Sequence, residues 1–497
     1  MNLLIPLIVI IPIICALLLN IVHKQDKITK IITIVVAVIV PIIPLFASYG
    51  LHNFGGHSTL NATQYLIGNV STSISSTSLV NLHLGITYSF AQLQQILVVA
   101  LGLVLFTGVI TYISETKKAS GAYGFLVFMA VAAASALILS DDIFHMYIFF
   151  EILALAQTGI MLASDIKNKH ETALKYMIAS SVAGPIMLIG IGLLLGLVGS
   201  VNITDIVTAI QTGLVDKFSP VLLLAFIAIF FGWLYGSGLP PFSTIKSNVY
   251  SKTMPSGAAI VQGCTVLTFV AFGIVLFRIF SHLKVYSIVI IIFSLLAMII
   301  GLVMALMQTD FKRIIGYLAV GELGYIGLGL GIGTVASVSA GLFQAVNEIL
   351  ITGLLFLLVS TILYQVQTGN INKLGGLIVD NPKIGLVFLI SGLALAGAPP
   401  FNAYRSKLLL IQSSISGGYP ELGIIMILIS IATFIAFVKI FHKVYLSPRP
   451  KQMKIINKKI PKATICVIGI LLIACLVLGV YPDLVLNPIT QFVTGLI

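Results

Sequence analysis

Charge is what this sequence has least of. Only 8% of its 497 residues are Asp, Glu, Lys or Arg, while 59% are hydrophobic. A soluble globular domain carries about 25% charged residues, so that class is excluded. The mean hydropathy of +1.13 instead indicates a polytopic membrane protein. Cysteine is equally sparse: Cys15, Cys264, Cys466 and Cys475 lie far apart in apolar segments without a C-x-x-C spacing. That leaves no framework for zinc or an iron–sulfur cluster, and no metal or cofactor of its own is expected. No nucleophile–base motif, Walker A loop or Rossmann fingerprint stands on a suitable strand–helix unit, so nothing supports a catalytic enzyme within the chain. The opening run, MNLLIPLIVIIPIICALLLNIV, lacks a basic n-region and a small-residue cleavage site. It is read as the first membrane helix and not as a signal peptide.

What is present is about fourteen apolar segments, each near the roughly twenty residues that cross a bilayer. They lie near 2–22, 29–48, 89–113, 121–139, 142–163, 171–198, 219–245, 255–280, 285–306, 313–333, 337–364, 383–414, 421–446 and 463–482. With both termini outside, the loops after odd-numbered helices hold 21 of the 27 basic residues, among them Lys246, Lys252, Lys312 and Lys373. Only Lys217, Arg278 and Lys284 fall in loops on the other side, as the positive-inside rule expects. The net charge of +12 therefore reads as topology, and no soluble basic domain exists to bind nucleic acid. Residues 49–88 contain no Lys or Arg and should form an external loop, with a short hairpin around YLIGNVSTSISS. Residues 199–218 look like a short amphipathic interfacial helix, and 447–462 like a basic cytoplasmic linker that touches anionic lipid.

One internal repeat stands out. GLPPFSTIKSN at 238–248 reappears as GAPPFNAYRSK at 397–407, an offset of 159 residues. It corresponds to five helices, and an odd number of helices inverts the second copy in the membrane. Pro240-Pro241 and Pro399-Pro400 break the seventh and twelfth helices, and paired broken helices in inverted repeats are a transporter signature. The expected organisation is all-α: helices 1–3 over 1–120, a first five-helix repeat over 121–280, a second over 281–446, and a linker with the last helix over 447–497. Six charged residues fall inside the spans: Glu151, Lys175, Glu322, Glu348, Arg405 and Lys407. Shifted by five helices, Glu151 corresponds to Glu322, Lys175 to Glu348 and Asn248 to Lys407. Ionisable groups at such depth face the bundle interior, pair with one another and mark proton or cation paths. Glu151 is expected to pair with Lys175; a static pair that only fixes packing is the alternative. Arg405 is expected to snorkel, and His145 to be an interfacial histidine.

At these residues the chain resembles the antiporter-like subunits shared by respiratory complex I, Mrp-type cation/proton antiporters (their D-type component especially) and energy-converting nickel–iron hydrogenases. LSDDIFHMYIFFEILALAQTGIMLAS resembles the family's fifth helix, which puts Glu151 at its key glutamate. ETALKYMIASSVAG is similar to the sixth, with Lys175 at the partner lysine. QTDFKRIIGYLAVGELGYIGLGLG, LFQAVNEILITGLLFL and LAGAPPFNAYRSKLLL are similar to the tenth, eleventh and broken twelfth, with Lys407 at the terminal channel position. The resemblance implies fourteen helices with two inverted five-helix repeats, ion translocation through Glu151, Lys175, Glu322, Glu348 and Lys407, and other membrane subunits as partners.

The departures are equally specific. A lysine usual just before the break of helix 7 is replaced by Gly236 or Ser237, and helix 8 offers only Gln262, Cys264, Thr265 and Thr268. On helix 11 the usual histidine is Glu348, followed four residues later by Thr352. This pattern suits the branch found in archaeal energy-converting hydrogenases of the B type. The expected function is a proton- or sodium-translocating subunit of such a redox-driven complex. A D-type component of a multisubunit cation/proton antiporter and a non-conducting scaffold are the alternatives. With helix 7 neutral, Gly236→Ala is expected to be nearly silent.

Overall fold

The computed structural model describes residues 4–22, 25–53, 63–67, 86–116, 120–451, 453 and 459–497. Hydrocarbon offers no partner to a backbone N–H or C=O, so each apolar run closes its hydrogen bonds within itself as a helix. In chain order these are α1 (Leu4–Ile21), α2 (Asp26–Asn53), α3 (Gln92–Thr116), α4 (Gly121–Leu139), α5 (Ile143–Leu162), α6 (Lys169–Val198), α7 (Ile203–Gln211), α8 (Pro220–Ser237), α9 (Ser243–Lys252) and α10 (Pro255–Phe280). There follow α11 (Lys284–Met307), α12 (Phe311–Ile332), α13 (Val335–Val366), α14 (Leu377–Asp380), α15 (Pro382–Ala396), α16 (Asn402–Ser416), α17 (Pro420–Phe441), α18 (Lys462–Val480) and α19 (Asp483–Thr494). Thirteen described helices are long and apolar enough to cross a membrane, and the shorter α15, continued by α16, makes one more crossing. The helix count read from the sequence holds. The amphipathic α19 is an addition: it buries Val485, Ile489 and Val493 at a four-residue spacing.

Between α2 and α3 the strands β1 (Thr63–Ile67) and β2 (Ile86–Phe90) pair antiparallel, with Tyr65 opposite Tyr88. The expected hairpin is therefore half right. Its first strand lies in the quoted stretch, its partner lies well beyond it, and 68–76 fall outside the described residues. The basic linker is likewise outside at 452 and 454–458; Arg449 contacts Asp380.

The inverted repeat is visible in backbone hydrogen bonds. Ile143 N donates to Val201 O and Ile203 N to Asp141 O; 168 residues later Phe311 N donates to Gly369 O and Ile371 N to Thr309 O. Asp142 caps α5 by accepting from His145 N, and Asp310 caps α12 by accepting from Arg313 N. At the breaks the register changes to 159: Leu239 N donates to Leu234 O, and Ala398 N to Leu393 O. The nine-residue α7 is what separates the two registers, since the second repeat has only a 3₁₀ turn and the four-residue α14 in its place.

These registers correct the residue equivalences expected from a single shift. Glu322 stands opposite Ala154, Glu151 opposite Ala319, Glu348 opposite Ser180 and Lys175 opposite Phe343. The two repeats carry their charges at different places.

Burial shows what surrounds what. The apolar stretch of α10 is wholly buried and that of α12 nearly so, whereas α1, α6, α11 and α18 bury about a third of theirs. The former make the bundle centre and the latter its outer surface. Lys217, after the sixth crossing, and Lys373, after the eleventh, are both exposed. In a variant lacking the four native cysteines, Lys217→Cys and Lys373→Cys should react with an impermeant maleimide from opposite sides of the membrane. Labelling of both from one side would contradict the helix count.

Candidate ion path

In the second repeat α15 ends at Gly397, whose φ of +81° fits glycine, and the chain resumes as α16 after the cis Pro399-Pro400 bond. The break lets a side chain of α16 reach back to the end of α15. Lys407 Nζ donates to Leu395 O at 2.8 Å and to Glu322 Oε1 on α12 at 2.9 Å, and it lies 4.4 Å from the ring centroid of Tyr325. Lys407 and Glu322 are 3% and 2% exposed, so both charges are out of water. A desolvated pair persists only when its remaining valences are satisfied, and here they are. Gln344 Nε2 donates to Glu322 Oε2 at 2.8 Å, and Gln344 Oε1 accepts from Ser406 Oγ. Asn347 Nδ2 donates to Ser406 Oγ, and Asn402 Nδ2 donates to Asn347 Oδ1.

Glu348 lies one turn along α13 from Gln344 and is fully buried. Its Oε1 accepts from Gln262 Nε2 of α10 at 3.2 Å and from Thr352 Oγ1 at 2.5 Å. Oε2 is buried with no hydrogen-bond partner among the described residues. Leaving such an oxygen bare costs about 1–3 kcal/mol, which makes it a natural receiver of a proton or a water. The sequence identified Gln262 and Thr352 only as neutral replacements; they are the two donors that hold Glu348.

The first repeat differs from expectation. Lys175 does not meet Glu151. It lies on the outer face of α6 with Leu174, Ile178 and Val182, and donates to Glu171 Oε1 at 2.6 Å. The reason is helical phase: residues 174, 175, 178 and 182 share one side of α6, opposite the buried Ala173, Tyr176, Ser180 and Ala183. Glu151 is half-buried, on the α5 stripe that exposes Phe144, Ile148 and Leu155. Its Oε1 rests on α6 where Gly184 has no Cβ; an alanine there would place one 1.8 Å from that oxygen. No hydrogen bond to Oε1 exists among the described residues.

The residue that sequence reasoning missed is Lys246, assigned to a cytoplasmic loop. It lies in α9, which resumes the seventh crossing after Gly238 and the cis Pro240-Pro241 bond, and is 2% exposed. Its Nζ donates to Gln157 Oε1 of α5 at 2.9 Å and to Gly236 O at 3.4 Å. Gly236 is the register partner of Leu395, so Lys246 and Lys407 end at equivalent carbonyls although Asn248, not Lys246, aligns with Lys407. The available signal was the repeat itself: helix resumes after the second Pro-Pro, so it should resume after the first.

Gly236 is not a gap either. A Cβ there would come 2.3 Å from Phe150 Cε2, so the aromatic ring occupies the space beside the backbone. His145 is buried at the start of α5, its Nδ1 3.1 Å from Ser140 Oγ and its Nε2 3.3 Å from the Tyr88 hydroxyl. It packs inside the protein at the first turn of α5. Arg405 is exposed.

Residues 140–436 match the family described as NADH:quinone oxidoreductase/Mrp antiporter, transmembrane. The chain belongs to that family. An uncharacterized protein of Methanocaldococcus jannaschii is 34% identical over 97% of this chain and 96% of its own length. The D-type component of the Na(+)/H(+) antiporter of Bacillus subtilis is 26% identical over 72% of this chain and 73% of its own. In fold, the chain is similar to a chain of the Mrp complex from Dietzia sp. (TM-score 0.88, 19% identity, 100% and 98% covered). It is also similar to a chain of the membrane-bound sulfane sulfur reductase, an archaeal respiratory membrane complex (TM-score 0.85, 19% identity, 99% and 97% covered). The fold shared with these two chains covers the whole protein.

Two outcomes follow for the purified protein. Removing one member of the buried pair strands the other, so Lys407→Met or Glu322→Leu should each destabilise by about 3–5 kcal/mol, and the double variant by much less. Thermal unfolding in detergent measures this, and equal, additive losses would deny the coupling. Gly236→Ala should destabilise by about 1–3 kcal/mol as Phe150 is displaced.

Proposed function

We propose that this chain is the ion-translocating subunit of a multisubunit membrane complex, moving protons or sodium ions along its buried polar line. The driving reaction proposed is electron transfer in an energy-converting hydrogenase-type complex. The observation that carries the reading is the Lys407–Glu322 pair at a helix break inside the membrane, joined through Gln344 on α13 to the neighbourhood of Glu348. Interior ionisable groups of this kind cost several kcal/mol to bury and mark ion paths. The acidic or neutral central positions favour the hydrogenase branch. Membership of a cation/proton antiporter, as its D-type component, is the second reading, supported by the Bacillus subtilis relative.

Partner subunits are supported by Glu151. It sits among membrane-facing residues with no cation from the described part of its own chain, and a charged carboxylate facing lipid costs at least ~3 kcal/mol. A neighbouring membrane subunit that covers α5 and α6 removes that cost. We assign both termini to the outer side, on the distribution of lysine and arginine.

The experiment uses vesicles containing the assembled complex. With hydrogen and a ferredoxin-type acceptor, Glu151→Gln and Lys407→Ala should each lower the ion gradient about tenfold or more, while electron transfer to artificial dyes persists. Lys175→Ala should leave the gradient unchanged. A complex without redox subunits that exchanges sodium for protons would establish the second reading. A normal gradient with Lys407→Ala in an assembled complex would leave the chain a scaffold.

A further inference from the structure

We infer that Lys246 is the translocating lysine of the first repeat, held by neutral acceptors so that its ammonium gives up and regains a proton during each cycle. This rests on the proposed ion-translocating function, and it adds a residue that neither the family motif nor the repeat alignment designates.

The argument starts from the end of α8. A helix that stops inside the membrane leaves carbonyls without donors and a negative dipole end. Gly238 N and Leu239 N satisfy Tyr235 O and Leu234 O, while Gly236 O is served by the Lys246 ammonium. The second repeat solves the same problem with Lys407 on Leu395 O. In each repeat the lysine stem passes over the glycine of the break: a Cβ on Gly238 would lie 2.6 Å from Lys246 Cβ and Cγ, and one on Gly397 would lie 3.0 Å from Lys407 Cδ. The two lysines are thus structural counterparts despite their different sequence positions.

Their partners are not counterparts. Lys407 meets a carboxylate, Glu322. The α5 position equivalent to Glu322 is Ala154, and Lys246 meets the carboxamide oxygen of Gln157, which also accepts from the Tyr176 hydroxyl at 2.9 Å. Among the described residues Lys246 forms no ion pair. The groups around it are Gln157 of α5, the Tyr176 ring of α6 at 5.6 Å from Nζ, the α8 carbonyl of Gly236 and, on α10, Cys264. From α12, Tyr317 donates to Thr244 one turn away. An ammonium paired with a carboxylate is held charged by full Coulomb attraction, whereas one held by dipoles alone is not. Release breaks one N–H bond of Nζ, leaves the electron pair on nitrogen and delivers the proton to water in the path; uptake reverses this, and no other bond changes. Turning the Gln157 carboxamide would offer its N–H to the neutral amine, whose own N–H still reaches Gly236 O, at the cost of the bond from the Tyr176 hydroxyl.

The test compares four variants in the assembled complex, reading gradient formation in vesicles together with subunit assembly. Lys246→Met should lower the rate of ion movement by about tenfold or more. Lys246→Arg keeps a cation at the Gly236 carbonyl but does not release a proton, and should be as impaired as Lys246→Met. A lysine that merely caps α8 would be rescued by arginine. Gln157→Glu leaves lysine and volume in place and gives the first repeat the ion pair of the second; the rate should again fall by about tenfold. Should the Lys246 variants fail to assemble, Gln157→Glu alone decides: a wild-type rate overturns the inference. Lys407→Ala run in parallel separates the two proposals. If it stops transport while the Lys246 and Gln157 variants do not, only this inference fails; if all of them transport normally, the ion-translocating reading fails with it.

Discussion

An ammonium and a carboxylate held 2.9 Å apart out of water set the terms for the second half of this protein. Neither charge tolerates hydrocarbon alone, and the pair is viable only because the Leu395 carbonyl and Gln344 close its remaining valences, with Ser406 and Asn347 holding Gln344 in turn. That requirement explains otherwise unrelated features. The twelfth crossing must break so that a lysine beyond the break can lie against the carbonyl end of the helix before it. Gly397 is a glycine because its φ of +81° ends the helix there, and the lysine stem crosses its backbone. Gln344, Asn347 and Ser406 must be polar although they sit at the centre of an apolar bundle.

The first half meets the same backbone problem with different chemistry. A lysine again occupies the broken end, but its partner is an amide, and the half's acidic residue has moved to the outward stripe of α5. The two repeats therefore share geometry and differ in electrostatics: at its break one holds an ion pair, and the other has a lysine without an anion there. Glu348, suspended from Gln262 and Thr352 between α10 and α13, stands where both halves meet the most deeply buried helices.

Much of this was legible beforehand, because hydrocarbon enforces a simple rule on sequence. Twenty apolar residues mean a crossing, lysines sort to one side, and a repeated Gly-x-Pro-Pro-Phe marks a repeated break; the helix count and inverted symmetry followed from those three facts. What was not legible was phase and register. Lys175 was assigned inward because it lies within a span, yet helical phase turns it out beside Glu171. Matching by helix number equated Glu151 with Glu322, although the register of 168 before α7 sets Glu322 opposite Ala154. Lys246 was assigned to a loop because the seventh span was ended at 245, whereas the helix resumes as α9 from Ser243 to Lys252. Gly236 was read only as a missing lysine, whereas Phe150, on another helix, packs against its backbone.

The placement of α7 has a consequence for how the two halves are related as parts. Because the nine extra residues lie in a surface helix between the sixth and seventh crossings, the helices on either side of it keep their own constant registers. The protein is thus modular at a finer grain than the five-helix repeat: a three-helix block and a two-crossing block carrying the break, joined by a spacer whose length is free to vary. Transplanting a segment from one half to the other preserves inward-facing positions only when the seam falls in that spacer and each block is shifted by its own amount.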